Sequence, residues 1–562
     1  MHVRSYNKFP FLYCFLLAII CLIPYISKTS NLLESDILYH ISRIDGLSKS
    51  IYSDFNFFPK IYFNLFEGKG YAFPMFYCDI FLIPAALLAK YTGVIIAYKF
   101  EILLINFFTA LFTYRLLKKL GLNEIPILLG VILYVFSYYR LYNIYYRAAL
   151  GELLAIMFIP IALLGIYNSI FNNEKEIVNI DLIVGFGGVA LSHNISLLLL
   201  SLMYFLLIIF NFKKANFIQI GISTIITIFL VMWFFYPMIE QLRYNDLVIE
   251  SVKSSSYKDS FYNFKDLLFI TDNQPFLSAR CGDFTILCSI FLFVIQKIRK
   301  KQMSSFQKQL FYIGFLFLLF TTKLFYPIMS VFSVIQFSSR FLIISSTMLN
   351  IFIAISFHNL LDDIVINTNM HKFIIFAYVI AFIYLLIFLR YDSLLVNFKI
   401  QSKGIYKDFR ITTDEIFSES SLKYKCFSDI ICLDSGIDDL YLPKKIRYKP
   451  NEDFEIYEYA HINRSGNVYS FTFNRNFSGY LEMPIVYYHG YNGNVDDRQL
   501  TLEISENGYI KTFLDIKENE FLSIQYKNSV NCNVCCIISF ATLLFLIVEK
   551  TCVKNFFNIN DQ

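Results

Sequence analysis

The feature that most constrains this chain is a series of long apolar runs, many of them close to the length that crosses a bilayer. A helical crossing takes roughly 20 mainly apolar residues, because hydrocarbon offers an open backbone no hydrogen-bond partner. Such runs lie at 9–27, 95–116, 123–140, 148–168, 178–192, 195–210, 216–236, 283–298, 309–322, 340–357, 371–391 and 533–549. Composition agrees: 17% of the 562 residues are charged and 56% are hydrophobic, against about 25% charged in soluble domains. Soluble globular, disordered and collagen-like readings are excluded. The net charge of +5 is small and dispersed, so nucleic acid is not an expected partner.

The run from Phe9 to Ile26 lacks a small-residue cleavage site and is followed by many more spans, so it reads as a retained helix. Basic loops orient the rest. Arg4 and Lys8 precede the first run. Arg115, Lys118 and Lys119 follow the second, and Lys213 and Lys214 follow the sixth. Lys297, Arg299, Lys300 and Lys301 follow the eighth, and Lys550 and Lys554 follow the last. Twelve crossings place all of these clusters, and both termini, in the cytoplasm of a plasma-membrane protein. The apolar stretch Phe73–Tyr91 would break that parity. Its Pro74, Asp79, Pro84 and Lys90 suit an interfacial or re-entrant piece along the outer face. Leu324–Phe337, with Pro327, reads as a second such piece.

The expected fold is thus a polytopic α-helical membrane protein with about 12 transmembrane helices and an extracytoplasmic β-rich domain before the last one. Residues 1–391 form the membrane domain, with a first outer loop at 27–94. Residues 392–531 lie outside, and 532–562 form the last helix and a cytoplasmic tail. The outer segment holds 21 Asp/Glu and 16 Lys/Arg, a net of −5, leaving +10 on the remainder. Its strands alternate, as in Val468–Phe473, Leu481–Tyr488 and Thr501–Ser505, and Asn507-Gly508 marks a turn before Tyr509. A small β-sandwich is expected. Among the 11 cysteines, Cys426 and Cys432 could pair in an oxidising compartment. The Cys532, Cys535, Cys536 group reads as interfacial packing rather than a zinc site.

Ionisable groups at membrane depth are expensive, so each is a functional candidate. Glu34 and Asp36 follow the first helix. Asp36, His40 and Arg43 then share one helical face at i, i+4 and i+7. That face reads either as a carboxylate base beside a cation or as a capped helix whose carboxylate is satisfied by its own Arg43. Arg147 and Glu152 bracket the outer start of the fourth helix, as a site pair or a simple anchor. His193 occupies a short outer turn, and Arg340 opens the tenth helix, placed to meet an anionic headgroup or to snorkel. Arginines match phosphate oxygens bidentately, and carboxylates take protons from hydroxyl nucleophiles. No acidic residue stands out in mid-span.

Several of these strings resemble a family. Asp36…His40…Arg43-Ile-Asp-Gly-Leu, Gly70-Tyr-Ala-Phe-Pro-Met-Phe-Tyr, Tyr146-Arg-Ala-Ala-Leu-Gly-Glu, Leu191-Ser-His-Asn and Phe337-Ser-Ser-Arg-Phe resemble the bacterial YfhO group. That group is also filed as 6-pyruvoyl-tetrahydropterin-synthase-related membrane proteins. Tyr441-Leu-Pro and Tyr487-Tyr-His-Gly-Tyr fit the same pattern. The resemblance implies a GT-C fold and a polyprenyl-phosphate-linked sugar donor. It also implies an acidic residue of the first outer loop acting as base or binding a divalent cation. Asp36 takes that position, with Glu34 a second carboxylate; Arg147 and Arg340 become phosphate contacts by position. The pterin label would imply a soluble His-ligated zinc enzyme, which seven scattered histidines do not resemble.

The resulting expectation is a glycosyltransferase that moves sugar from the lipid donor to an envelope glycan, lipid or protein acceptor. Asp36, Glu34 and His40 form its catalytic group. Arg43, Arg147, Glu152, His193 and Arg340 form its phosphate side. The alternatives are a lipid-linked saccharide transporter and a non-catalytic envelope scaffold.

Overall fold

The computed structural model describes residues 9–27, 36–65, 68–172, 176–245, 247, 257–264, 282–361, 446–448, 455–457, 460–496, 498–505 and 507–548. The apolar run 371–391, Glu34, Tyr441, Cys426 and Cys432 lie outside these residues.

The apolar runs that fall within the described residues are helices. In chain order these are α1 (Phe9–Ser27), α2 (Ile37–Asp54), α3 (Phe73–Phe76), α4 (Ile83–Thr92), α5 (Val94–Lys119) and α6 (Glu124–Val135). Then come α7 (Tyr138–Tyr142), α8 (Leu150–Ile170), α9 (Ile180–Ala190), α10 (Asn194–Phe210) and α11 (Phe217–Tyr244). The set closes with α12 (Asp283–Ile298), α13 (Ser305–Leu319), α14 (Tyr326–Met329), α15 (Leu342–Leu361) and α16 (Val530–Val548). Among the described residues six helical stretches are long and apolar enough to cross a membrane: Val94–Lys119, Glu124–Tyr145, Leu150–Ile170, Phe217–Tyr244, Ser338–Leu360 and Val530–Val548.

Helix α8 is the axis of the bundle. It is apolar all round, and every residue except Tyr167 is buried, as a helix enclosed by other helices should be. Small residues let α9 approach it. A Cβ on Gly165 would lie 2.3 Å from the Leu182 nitrogen, and one on Gly185 would lie 2.3 Å from Ala162 backbone. Helix α11 and the last helix, α16, instead keep most of their side chains at the surface, as lipid-facing helices do. They are joined where Ser539 Oγ donates to the Phe229 carbonyl at 2.6 Å and accepts from Trp233 N–H at 3.1 Å.

Polar pairs fasten the bundle at both ends. At the end where α5 finishes, Arg115 meets Asp181 at 2.5 Å and Lys118 meets Glu124 at 2.7 Å. At the opposite end α8 begins, and the groups singled out in the sequence gather there. The stretch Phe73–Tyr91 is not one continuous helix: it breaks into α3, a 3₁₀ turn at Ile80–Leu82, and α4. Pro74 and Pro84 open its helical pieces, where a missing N–H costs nothing. Leu324–Phe337 likewise forms only α14 and a 3₁₀ segment, Ser330–Ile335.

Between α15 and α16 the described residues form ten antiparallel strands in two five-stranded sheets. One runs β2 (Glu455–Ile456), β1 (Arg447–Tyr448), β5 (Phe477–Val486), β9 (Tyr509–Ile516), β8 (Glu503–Ile504). The other runs β3 (Ala460–Ser465), β4 (Val468–Phe473), β10 (Phe521–Tyr526), β6 (Tyr491–Val495), β7 (Arg498–Leu500). Alternate residues Tyr469, Phe471 and Phe473 of β4 and Leu522, Ile524 and Tyr526 of β10 are buried, which is the half-buried strand pattern. The expected turn at Asn507-Gly508 is present, with Gly508 at φ +75°. This sheet domain seats on the first loop. Tyr469 OH donates to the Gly68 carbonyl at 2.8 Å, Val486 N–H to the Lys69 carbonyl at 3.0 Å, and Arg464 pairs with Asp54 at 3.5 Å. The side chain of Gln241 near the end of α11 bonds both the N–H (3.0 Å) and the carbonyl (2.7 Å) of His489. Tyr244 stacks on the His489 ring at 4.2 Å. The sheet domain and the bundle thus meet at the end where α8 starts.

Candidate functional site

The start of α8 is an unusual piece of backbone. Helix α7 runs into a π-helical turn, Asn143–Arg147, and Ala148 then adopts φ +52° before α8 begins. A non-glycine residue in the left-handed region costs about 1 kcal/mol or more, and π turns are frequent at functional sites. The outcome is that Arg147 turns back over the first turn of α8 and reaches Glu152.

Glu152 is 1% exposed and collects four donors. Arg147 Nη1 lies at 2.7 Å, Arg340 Nε at 2.9 Å, Tyr139 OH at 2.7 Å and Asn143 Nδ2 at 3.2 Å. Its place in the first helical turn also suits the dipole of α8. Two guanidiniums on one carboxylate leave an excess positive charge. The next acid is Asp36, whose Oδ2 stands 3.6 Å from Arg147 Nη2 with its side chain 46% exposed. The Asp36 N–H donates to the Arg147 carbonyl at 3.1 Å, so backbone as well as charge holds the two together. Burial opposes the Arg147 charge, but Glu152 and Asp36 outweigh it and keep the guanidinium more firmly protonated than usual. Phe337 lies beneath both arginines, 5.7 Å from the Arg147 guanidinium and 5.3 Å from that of Arg340.

His193 closes another side. Gly151 stands so near that a Cβ there would approach the His193 ring at 3.5 Å and the Ser192 carbonyl at 3.2 Å. The His193 Nδ1 caps α10, accepting from Ser196 N–H at 3.2 Å. Burial pushes its imidazole down to about 3, although nearby Glu152 pulls the other way.

A second arginine–carboxylate centre lies beside the first. Arg43 Nε donates to Asp79 Oδ1 at 2.7 Å, and Nη2 reaches the same oxygen at 2.5 Å and the Cys78 carbonyl at 3.1 Å. Tyr62 OH donates to the other Asp79 oxygen. Both charged side chains are almost wholly buried. The sequence paired Asp36 with Arg43; the structure does not. Asp36 has no side-chain capping bond, and Arg43 is taken by an acid from the first loop. Its Nε and both terminal nitrogens are thus engaged within the protein, by Asp79, His40 and the Cys78 carbonyl. Arg340 is similarly engaged, by Glu152, the Ile335 carbonyl (2.8 Å) and Gln336 Oε1 (2.8 Å).

His40 joins the two centres. Its Nδ1 faces Arg43 Nη1 at 3.1 Å and its Nε2 faces Leu150 N–H at 3.2 Å. Both neighbours are donors, and a neutral imidazole has one lone pair to offer them. The Leu150 N–H has a second acceptor in the Ala148 carbonyl at 2.9 Å. A protonated ring would have none, so burial and the adjacent arginines hold His40 well below the ordinary histidine range.

The structure therefore brings Asp36, His40, Arg147, Glu152, His193 and Arg340 together, with Arg43 one step away through His40. Glu34 lies outside the described residues. Asp79, Tyr62, Tyr139 and Asn143 belong to the same constellation and were not picked out as site residues from the sequence. Glu101 was missed altogether. It sits inside α5, is 2% exposed, and has one carboxylate oxygen with no hydrogen-bond partner, so the span does contain a buried acid. Arg43 is close enough to act on it electrostatically.

Among the described residues Asp36 has no second free carboxylate beside it to help hold a divalent cation. Glu152 is already neutralised by arginines, and no group of three or more His, Cys, Asp or Glu able to hold a metal occurs among the described residues. Cys532 and Cys535 are buried among the helices. No family model, curated protein or solved structure matches this chain.

Proposed function

We propose that this chain is a twelve-crossing membrane glycosyltransferase of the GT-C type, working on a polyprenyl-phosphate-linked sugar at the outer face of the plasma membrane. The observation that carries the reading is Asp36: a half-exposed carboxylate at the rim of a buried Arg147–Glu152–Arg340 centre. In the reaction, the acceptor hydroxyl gives its proton to Asp36 as its oxygen bonds to the anomeric carbon. The bond from that carbon to the donor phosphate oxygen breaks, and the lipid phosphate leaves with the electron pair. Arg147, the less buried of the two arginines on Glu152, meets the charge that develops on the phosphate. Glu152, itself bonded by Arg340, holds Arg147 in place, and His40 fixes the start of α8 through Leu150. The sheet domain, seated over this end of the bundle, takes the acceptor, whether glycan, lipid or protein.

The test is transfer from a labelled polyprenyl-phosphate sugar by purified protein. Loss of a general base costs about 10²- to 10⁴-fold, so Asp36→Asn should lose at least that much while keeping its thermal midpoint. Wild-type rates in Asp36→Asn would remove the proposed role.

One observation favours a second reading, a transporter of the same lipid. Buried intramembrane acids mark ion and proton pathways, and Glu101 is such an acid. The same assay separates the two: a transferase releases free polyprenyl phosphate, whereas a transporter delivers the donor intact to the other side.

A further inference from the structure

The segment between α13 and α15 has two unlike sides. From Leu324 to Ser339 it contains no charged residue. Met329 and Ile335 face inward and are buried, at 3% and 0% exposure. Leu324, Ile328, Val331 and Val334 are 77%, 61%, 82% and 63% exposed. These four recur every three or four residues, from just before the short α turn through the 3₁₀ segment that follows it, which is kinked at Phe332. In water such a stripe would be a liability.

The segment does not cross a membrane. Its helical part, Tyr326–Ile335, is four α and six 3₁₀ residues and spans at most about 20 Å at 1.5–2.0 Å per residue, well short of the roughly 30 Å hydrocarbon thickness. Yet α13 ends at Leu319 just before it, and the candidate span Ser338–Leu360 starts just after it. It is also pinned to the turn at 257–260. Tyr257 OH donates to the Met329 carbonyl at 3.0 Å, and Ser338 N–H donates to Ser260 Oγ at 2.9 Å. At its far end Gln336 takes φ +66°, and the Ile335 carbonyl and Gln336 side chain both bond Arg340.

We propose that residues 324–337 form an arm lying flat in the membrane–water interface, with Leu324, Ile328, Val331 and Val334 set into the acyl region of the lipid. Three observations select lipid over a protein partner. The four stripe residues carry no charged or hydrogen-bonding group, and of the polar residues between them only Ser333 is exposed for a partner to read. It is continuous in the chain with a helix that crosses the bilayer. Its ends are held at the level where that helix begins. A short apolar helix lying in the interface plane is an established way for a protein to engage a bilayer surface. The arm ends on Arg340, so its depth in the lipid is also the depth of the Glu152 centre. The inference does not depend on sugar transfer.

The chain contains one tryptophan, Trp233, which makes the test direct. In a Trp233→Phe background, Val331→Trp and, separately, Leu324→Trp are placed in phosphatidylcholine vesicles, with and without bromine on the upper acyl carbons. The full chain is used throughout. The arm predicts blue-shifted emission that is lost in brominated lipid and insensitive to aqueous iodide. Quenching by iodide instead would overturn it, as would protection from both quenchers, which would mean a protein covers the stripe. Two positions keep the test alive if one variant does not fold.

Discussion

Two arginine–carboxylate centres stand side by side at the head of this bundle, joined by one histidine, and they are built differently. Around Asp79 the charges balance: one guanidinium, one carboxylate, a tyrosine hydroxyl and a backbone carbonyl, all buried. Around Glu152 they do not, because two guanidiniums share one buried carboxylate and the balancing acid, Asp36, is half-exposed. A balanced buried pair holds loop to helix and has no capacity left over. An unbalanced one with an accessible member can exchange that member's partner for a ligand. The comparison thus suits the Arg43 centre to a structural part and, under the proposed function, the Arg147 centre to a chemical one, although the residue types are the same.

The largest expected effect comes from removing the shared anion. Glu152→Gln leaves Arg147 and Arg340 beside each other in a buried site, and breaking a buried ion pair typically costs about 3–5 kcal/mol. The thermal midpoint of the purified protein in detergent should fall further than for any other single change at this end. A midpoint close to wild type would mean that the arginines find other counter-ions and that the two centres are not distinct.

The balanced centre makes the opposite kind of prediction. Arg43→Met alone strands the Asp79 carboxylate and should destabilise by less than Glu152→Gln, and adding Asp79→Leu should restore most of it. Replacing both members of a buried pair with apolar groups is often neutral or stabilising, by about 1–4 kcal/mol. The double variant should also keep whatever transfer activity the wild type has. If stability returns and activity does not, the Arg43 centre belongs to the chemistry and the comparison fails.

How much of this was legible in the sequence follows from the same contrast. Apolar runs mark helices because lipid and core both demand them, so α5, α6, α8, α11, α15 and α16 stand out without any structure. Alternation and the Asn507-Gly508 turn marked β4, β5 and β9 in the same way. Asp36, Arg147, Glu152, His193 and Arg340 were found because charges at helix ends are conspicuous against an apolar background. Partners were harder. The i, i+7 spacing put Asp36 and Arg43 on one face but could not show that a loop 36 residues beyond Arg43 would supply Asp79. Glu101 was hidden in an otherwise apolar run, where a single acid barely changes the hydropathy. Pairing across a fold is a tertiary fact, and a one-dimensional pattern holds it only weakly.

The histidine between the centres gives a pH signature of intermediate size. Both His40 and His193 are held below the ordinary value, so the unfolded chain binds protons that the folded chain refuses. Their contribution is therefore fully present above about pH 6.5 and is lost as the pH falls below it. One unit lower, each costs on the order of 1.4 kcal/mol. The thermal midpoint should fall between pH 7 and pH 5, and less steeply in His40→Asn. An unchanged slope in that variant would mean the His40 ring is not confined between Arg43 and Leu150.

The smallest effect is expected at Glu101, and it bears most directly on where the boundary of the balanced centre lies. Its carboxylate makes no ion pair within contact distance among the described residues, and one oxygen has no partner. Arg43, the nearby cation, already has Asp79. Glu101→Gln keeps the shape of the side chain and removes the need to bury an acid, at the loss of a weak attraction to Arg43. These terms oppose each other, and the net change in stability should be about 1 kcal/mol or less, of either sign. A loss as large as that of Glu152→Gln would show that Asp79 and Glu101 share Arg43. The second centre would then be unbalanced too, but toward negative charge. A neutral result for stability together with loss of function would instead place Glu101 on a path for protons or ions and favour the transport reading.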